Sequence, residues 1–232
     1  MEKAVRDILV ERAIKYNDPQ YFTEDPIIFP KHFAGLLGSG GASLRDVEVA
    51  GLLAAHLAWG RRSMIVRDCI RLFDHMEWRP AEYVDSGCWR DDAASLHRTI
   101  KWSDIAAICA RLKALYGQYE SLECLNQPQI RTLVYGAKED PKAANKKINM
   151  FRRWMARRDG KVDLGLWRNT SPAGLVIPLD VHVHRCAAEL GLTERRSADL
   201  RTAMEITDAF REIFPDDPCL GDFALFGYGV TR

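Results

Sequence analysis

Residues 142–190 read KAANKKINMFRRWMARRDG (142–160), KVDLGLWRNTSPAGLVIPLD (161–180) and VHVHRCAAEL (181–190), and the rest of the chain is organised around them. In the first piece Ala143, Ala144, Ile148, Phe151 and Met155 recur at helical spacing, with Trp154 beside them, which predicts an amphipathic helix. From Lys142 to Lys161 eight basic residues (Lys142, Lys146, Lys147, Arg152, Arg153, Arg157, Arg158, Lys161) face one acid, Asp159. The local charge is thus +7 in a chain whose total is +1. Charge concentrated in this way is the footprint expected of a phosphate-binding surface.

Lys147, Phe151, Trp154 and Arg158 stand at i, i+4, i+7 and i+11 and so share one helix face. A lysine bordering an apolar, aromatic stripe is partly desolvated, and a second cation such as Lys146 pushes the same way, toward the neutral amine. The neutral amine is the nucleophile that attacks a carbonyl-like carbon to give a Schiff base. The plainer reading is a lysine snorkelling from a helix edge. Further on, Pro178-Leu179-Asp180 precedes a helical pattern with Val183, Cys186, Ala187 and Leu190 on one side. Asp180 is placed as the N-cap, where backbone N–H groups and the helix dipole favour a carboxylate. Such a group can also stabilise a developing cation or help activate a nucleophile.

These residues carry a resemblance. Ile177-Pro178-Leu179-Asp180-Val181-His182-Val183, followed by Arg185 and Gly191-Leu192, resembles the aspartate segment of the helix-hairpin-helix DNA glycosylases, with the archaeal GO (8-oxoguanine) glycosylases nearest in pattern. Their catalytic lysine has a phenylalanine four residues on, as Lys147 has Phe151. More narrowly, AANKKINMFRRWM, DLGLW, IPLDVHV and DPCLGDFALFGYGV are similar to an uncharacterised bacterial family, domain of unknown function 2400. The narrow resemblance spans nearly the whole chain, and the glycosylase one about 143 to the C-terminus.

The glycosylase resemblance implies two helical lobes around a cleft, in one compact unit of residues 1–232 with a core at about 143–230 and an N-terminal helical part at about 1–140. It implies a nucleophile at Lys147 and an essential carboxylate at Asp180. Phe151, Trp154 and Trp59 are then candidates to stack on a flipped base, and Lys146, Arg152, Arg153, Arg157, Arg61, Arg62 and His182 to contact double-stranded DNA. Two departures stand out. Asn149 lies three residues after Lys146, a spacing many superfamily lysines show, so the register between Lys146 and Lys147 stays open. In place of a short glycine-rich hairpin there is a long insert, 157–178, which leaves the phosphate-holding loop unassigned.

At 232 residues the chain can bury a large core, and its 47% hydrophobic fraction is that of a globular protein. No apolar run is long enough for a bilayer and residues 1–12 show no signal-peptide core, so a cytoplasmic location is expected. The six cysteines form no CxxC pair. Some of the glycosylases the chain resembles hold an iron–sulfur cluster on four closely spaced C-terminal cysteines; only Cys219 lies in that region, so no cluster is expected, and no cofactor is expected otherwise.

Other helices are predicted over 1–16, from Ser43 to Trp59 with a capping box, over 64–75, from Ser103 to about Tyr116, near 128–135, over 197–213 and from Leu220 to about Gly227. Short helical pieces are expected over 79–100. No period-2 alternation exceeds four residues, so the fold class is all-α, with roughly ten helices. The corner Trp59-Gly60-Arg61-Arg62 joins an aromatic ring to two guanidiniums, which suits stacking on a base and contact with phosphate.

Three functions compete. The first is a DNA repair glycosylase with lyase activity through Lys147 and Asp180. The second is a non-catalytic nucleic-acid-binding protein, in which Lys147 is a phosphate contact that arginine could replace. The third, a metal hydrolase on His182, His184 and Cys186, is disfavoured because residues 182 and 186 face away from 184 on a helix.

Overall fold

The computed structural model describes residues 1–230. The chain is mostly helical. In order come α1 (Lys3–Tyr16), α2 (Ile28–Leu36), α3 (Leu44–Leu57), α4 (Arg62–His75) and α5 (Pro80–Ser86). A hairpin of β1 (Ser95–His97) and β2 (Ile100–Lys101) leads into α6 (Trp102–Tyr116) and the single turn α7 (Gln127–Gln129). Then follow α8 (Lys146–Ala156), α9 (Val181–Glu189), α10 (Leu200–Arg211) and α11 (Leu220–Val230). Among the described residues no helix is long and apolar enough to cross a membrane.

The chain divides into two compact units. One is continuous, Thr23–Glu139, and the other joins Met1–Phe22 to Asp140–Arg232. The continuous unit is built on α3. Ser43 caps it as expected, its side chain accepting from Asp46 N while the Asp46 carboxylate accepts from Ser43 N. Nearly every residue from Val47 to Leu57 is buried, the pattern of a helix covered on all sides. Among them is Glu48, fully buried. Its carboxylate accepts from Tyr116 Oη (3.0 Å), Ser121 Oγ and Leu122 N, so the polar group is matched and ties α3 to the end of α6.

One expectation fails in this unit. Residues 79–100 hold one short helix, α5, and then the hairpin, whose strands of three and two residues are too short to show alternation. The short helix expected near 128–135 is present, as α7 running into a π-helical segment, Ile130–Val134.

In the discontinuous unit α1 packs along α11. A Cβ at Gly227 would lie 2.0 Å from the Tyr16 ring, so only glycine lets the two helices approach this closely. Arg12 Nη1 donates to Gly227 O at 3.0 Å. The central helix α8 is shorter than its pattern predicts. Asn145 adopts a left-handed φ of 49°, which an asparagine tolerates better than most residues, and this stops the helix from continuing back through Ala144 and Ala143. Lys146 and Lys147 are therefore the first two helical residues. The long insert after Ala156 has little regular structure but is pinned to α8. Leu164 N donates to Trp154 O and Trp167 N to Met155 O, both at 2.8 Å. Those acceptors are carbonyls that the helix end leaves open.

A candidate lysine–aspartate site

Asp180 is the N-cap of α9, as its sequence position predicts. Oδ1 accepts from His182 N and Val183 N, both at 2.9 Å. Its other oxygen, Oδ2, lies 3.5 Å from Lys146 Nζ. An ion pair thus joins the first residue of α8 to the cap of α9, across 34 residues of sequence.

Lys147 follows directly. It is half-buried, and among the described residues it forms no ion pair or hydrogen bond. Burial, and after it the neighbouring Lys146 ammonium, lowers its pKa from the ordinary lysine value to about 8. Its place in the first turn adds to this, because the positive end of a helix dipole disfavours a cation and α8 has no acid in that turn. The two lysines are therefore differentiated: Lys146 is held by a carboxylate, and Lys147 has a nucleophilic amine within reach of neutral pH.

Behind the pair lies a feature the sequence reading missed. Arg153 pairs with Asp222 of α11 and, at 3.3 Å, with Asp163 of the insert. Arg157 pairs with Asp159 (2.6 Å), Asp163 (3.0 Å) and Asp217 (2.8 Å) and donates to Asn17 Oδ1 at 3.2 Å. Two guanidiniums so face four carboxylates, and the surplus acid has consequences. Burial, with repulsion from Asp180 and Asp163, pushes Asp222 up to about 6 despite the pull of Arg153. Burial likewise raises Asp217. The one sequence signal was Asp222 in GDFALF, an acid at the start of an otherwise apolar helix.

This cluster corrects part of the expected DNA surface. Arg153 and Arg157 are only 6% and 1% exposed and are consumed by internal ion pairs, so neither can reach a phosphate. Phe151 and Trp154 are buried too, Phe151 edge-on to Trp167 at 5.2 Å. Neither offers a face to a base; both are core. Helical spacing could not separate an aromatic core stripe from a stacking platform. Arg152 is half-buried, its guanidinium 5.9 Å from the Trp167 ring centroid. Arg158 lies beyond the end of α8 and donates to Trp167 O and Thr170 O.

His182 is exposed on the first turn of α9, with Arg185 donating to its Nδ1 at 3.0 Å. His184 Nε2 meets Arg195 O instead, and Cys186 is buried. Among the described residues no group of three or more histidines, cysteines or acids could hold a metal ion. Trp59, Arg61 and Arg62 belong to the other compact unit. There Trp59 is partly exposed under Arg98, Arg61 is exposed, and Arg62 lies 3.9 Å from Asp25.

Fold and site together define a helical protein with a paired lysine at the start of one helix and a capping aspartate at the start of another. The chain matches the family described as "Protein of unknown function (DUF2400)" over residues 25–133 and 126–231, and it belongs to that family. The first match falls within the compact unit 23–139, and the second covers the larger part of the other unit. Comparison with curated proteins and with solved structures gave no significant match.

Proposed function

We propose that this protein is a DNA repair glycosylase with an associated lyase step, acting on double-stranded DNA that carries a damaged base, an oxidised purine in the first instance. On this reading its helical units are those of the helix-hairpin-helix glycosylase fold. The observation that carries the proposal is Lys147: a half-buried amine brought down to about 8, beside a lysine–aspartate pair that spans two helix N-termini.

The neutral Nζ of Lys147 attacks C1′ of the damaged nucleotide, and the glycosidic C–N bond breaks with its electron pair leaving on the base, which takes up a proton. Asp180 offsets the positive charge that develops at C1′. The attached amine then loses its protons as the sugar ring opens, leaving an imine. Loss of a C2′ proton from that imine expels the 3′ phosphate and cuts the strand. Incubating the protein with duplexes carrying different lesions, and scoring release of the base and strand scission, tests the reaction. Release from at least one oxidised-purine duplex is expected; intact duplexes throughout would overturn it.

Two further outcomes are specific. Asp180→Asn keeps a good N-cap, so fold and DNA affinity persist, while excision falls on the order of a hundredfold or more. Normal excision by that variant would reduce Asp180 to a cap. The second is a pH profile. Attack requires the neutral amine, whose fraction rises as pH rises through the pKa of Lys147. The rate should therefore climb with pH and level off above about 8. Lys146→Gln removes one cause of that depression, so the midpoint should move to higher pH. A rate flat across this range, or falling as pH rises, would contradict the assignment.

A further inference from the structure

In the unit 23–139 a second feature stands apart from the lysines. Arg98 is the first residue of the two-residue turn joining β1 and β2, where it adopts a left-handed φ of 54°. A residue with a Cβ is costly there. Its guanidinium carbon lies 4.1 Å from the centroid of the Trp59 ring. The side chain also crosses Gly60: a Cβ there would lie 2.6 Å from Arg98 Nη1, and Gly60 itself has a φ of +102°. The stack is held from below. His97, fully buried, places Nδ1 2.7 Å from Asp68 Oδ2 and Nε2 2.9 Å from the Trp59 carbonyl oxygen. A buried acid–histidine pair thus fixes the backbone on either side of the Trp59–Arg98 contact.

The charge on this corner is not balanced. Arg98 and Arg61 are both exposed, and among the described residues neither forms an ion pair or a side-chain hydrogen bond. On the neighbouring α4, Arg71 is also exposed; it donates to Ser95 O and has no carboxylate partner. A guanidinium lying on an aromatic ring keeps its other face open, and that planar cationic face is a platform for a nucleobase. The flanking guanidiniums suit the phosphates on either side of such a base.

We propose that the Trp59–Arg98 stack binds one unstacked base of a single-stranded nucleic-acid segment, with Arg61 and Arg71 on the adjoining phosphates. An acidic peptide could satisfy the charges but has no use for the plane. The proposal does not rest on Lys147: a protein that forms no imine can still carry this site, and a protein that does can lack it.

Fluorescence anisotropy of the full chain at fixed salt, with a labelled oligothymidine and the same backbone made without bases, tests it. A ribo-oligonucleotide arm separates RNA from DNA as the source of the base. Wild type should prefer base-bearing strands. Arg98→Lys keeps the charge and loses the plane, so it should weaken the base-bearing strand about tenfold, the worth of one stacked base, and leave the baseless strand nearly unchanged. Arg98→Ala should weaken both. An unchanged thermal melt shows that either variant is folded, since Arg98 is exposed. Equal losses on both strands with Arg98→Lys, no loss on either, or competition by polyglutamate as effective as that by unlabelled oligothymidine would overturn the proposal.

Discussion

Arg157→Ala should lose about 3–5 kcal/mol of stability, the usual consequence of removing one partner from a buried ion pair. The side chain is 1% exposed and stands between Asp159, Asp163 and Asp217. Without it the fully buried Asp163 carboxylate keeps only Arg153, and Asp217 loses the one guanidinium that offsets its burial. A loss of that size is a large share of the stability of an ordinary domain, so the variant should show a strongly reduced urea midpoint or fail to accumulate folded. Arg152→Ala, within the adjoining α8 but half-exposed, should stay within about 0.5 kcal/mol. Comparable midpoints for the two variants would mean that the buried carboxylates do not depend on Arg157. The contrast also bears on DNA binding. A combined alanine variant of Arg152, Arg153 and Arg157 would lose affinity by unfolding, so the salt dependence of binding has to be read from Lys142, Arg158 and Lys161, which are exposed.

Lys147→Gln should bring base excision and strand cleavage to background while DNA affinity changes little. Glutamine, one bond shorter, keeps a polar end and a similar helix propensity but offers no amine. Lys147→Arg sharpens the result. Arginine retains the cation and any phosphate contact, yet cannot be neutral near pH 7 and forms no imine. Full activity in the arginine variant would make Lys147 a phosphate contact and place the nucleophile on another group; wild type that binds DNA but cuts no lesion would move the protein to the non-catalytic, nucleic-acid-binding class. Lys146→Gln differs from both. It frees Asp180 and removes a repulsive neighbour from Lys147, so it should slow the reaction at neutral pH and recover in part as pH rises.

How far the sequence could lead is clearest at these same residues. Asp180 was legible, because an N-cap is a local device read from an aspartate followed by an apolar helical pattern. So was the all-helical class, since most elements are long enough to show their period. The burial of Arg153 and Arg157 was not legible. Their partners Asp222 and Asp217 lie 69 and 60 residues away in sequence, and a run of basic residues looks the same whether it faces water or distant carboxylates. The aromatic face of α8 failed for a related reason: periodicity gives a face but not what covers it. The differing states of Lys146 and Lys147 had a partial signal in the rotation between adjacent helical residues. The start of the helix, which decides which turn they occupy, depended on the left-handed Asn145 and was missed by three residues. The β1–β2 hairpin was hidden by its brevity.

On the proposed mechanism a lysine of this chain, Lys147, bonds covalently to the sugar of a damaged nucleotide. Borohydride reduces such an imine to a stable protein–DNA adduct, which can be digested and its modified residue located by mass spectrometry. With duplex carrying 8-oxoguanine or an abasic site, an adduct is expected on Lys147, strongest on the alkaline side of neutrality and absent in Lys147→Gln. An adduct on Lys146, or none at any pH from mildly acidic to mildly basic with any lesion, would contradict it.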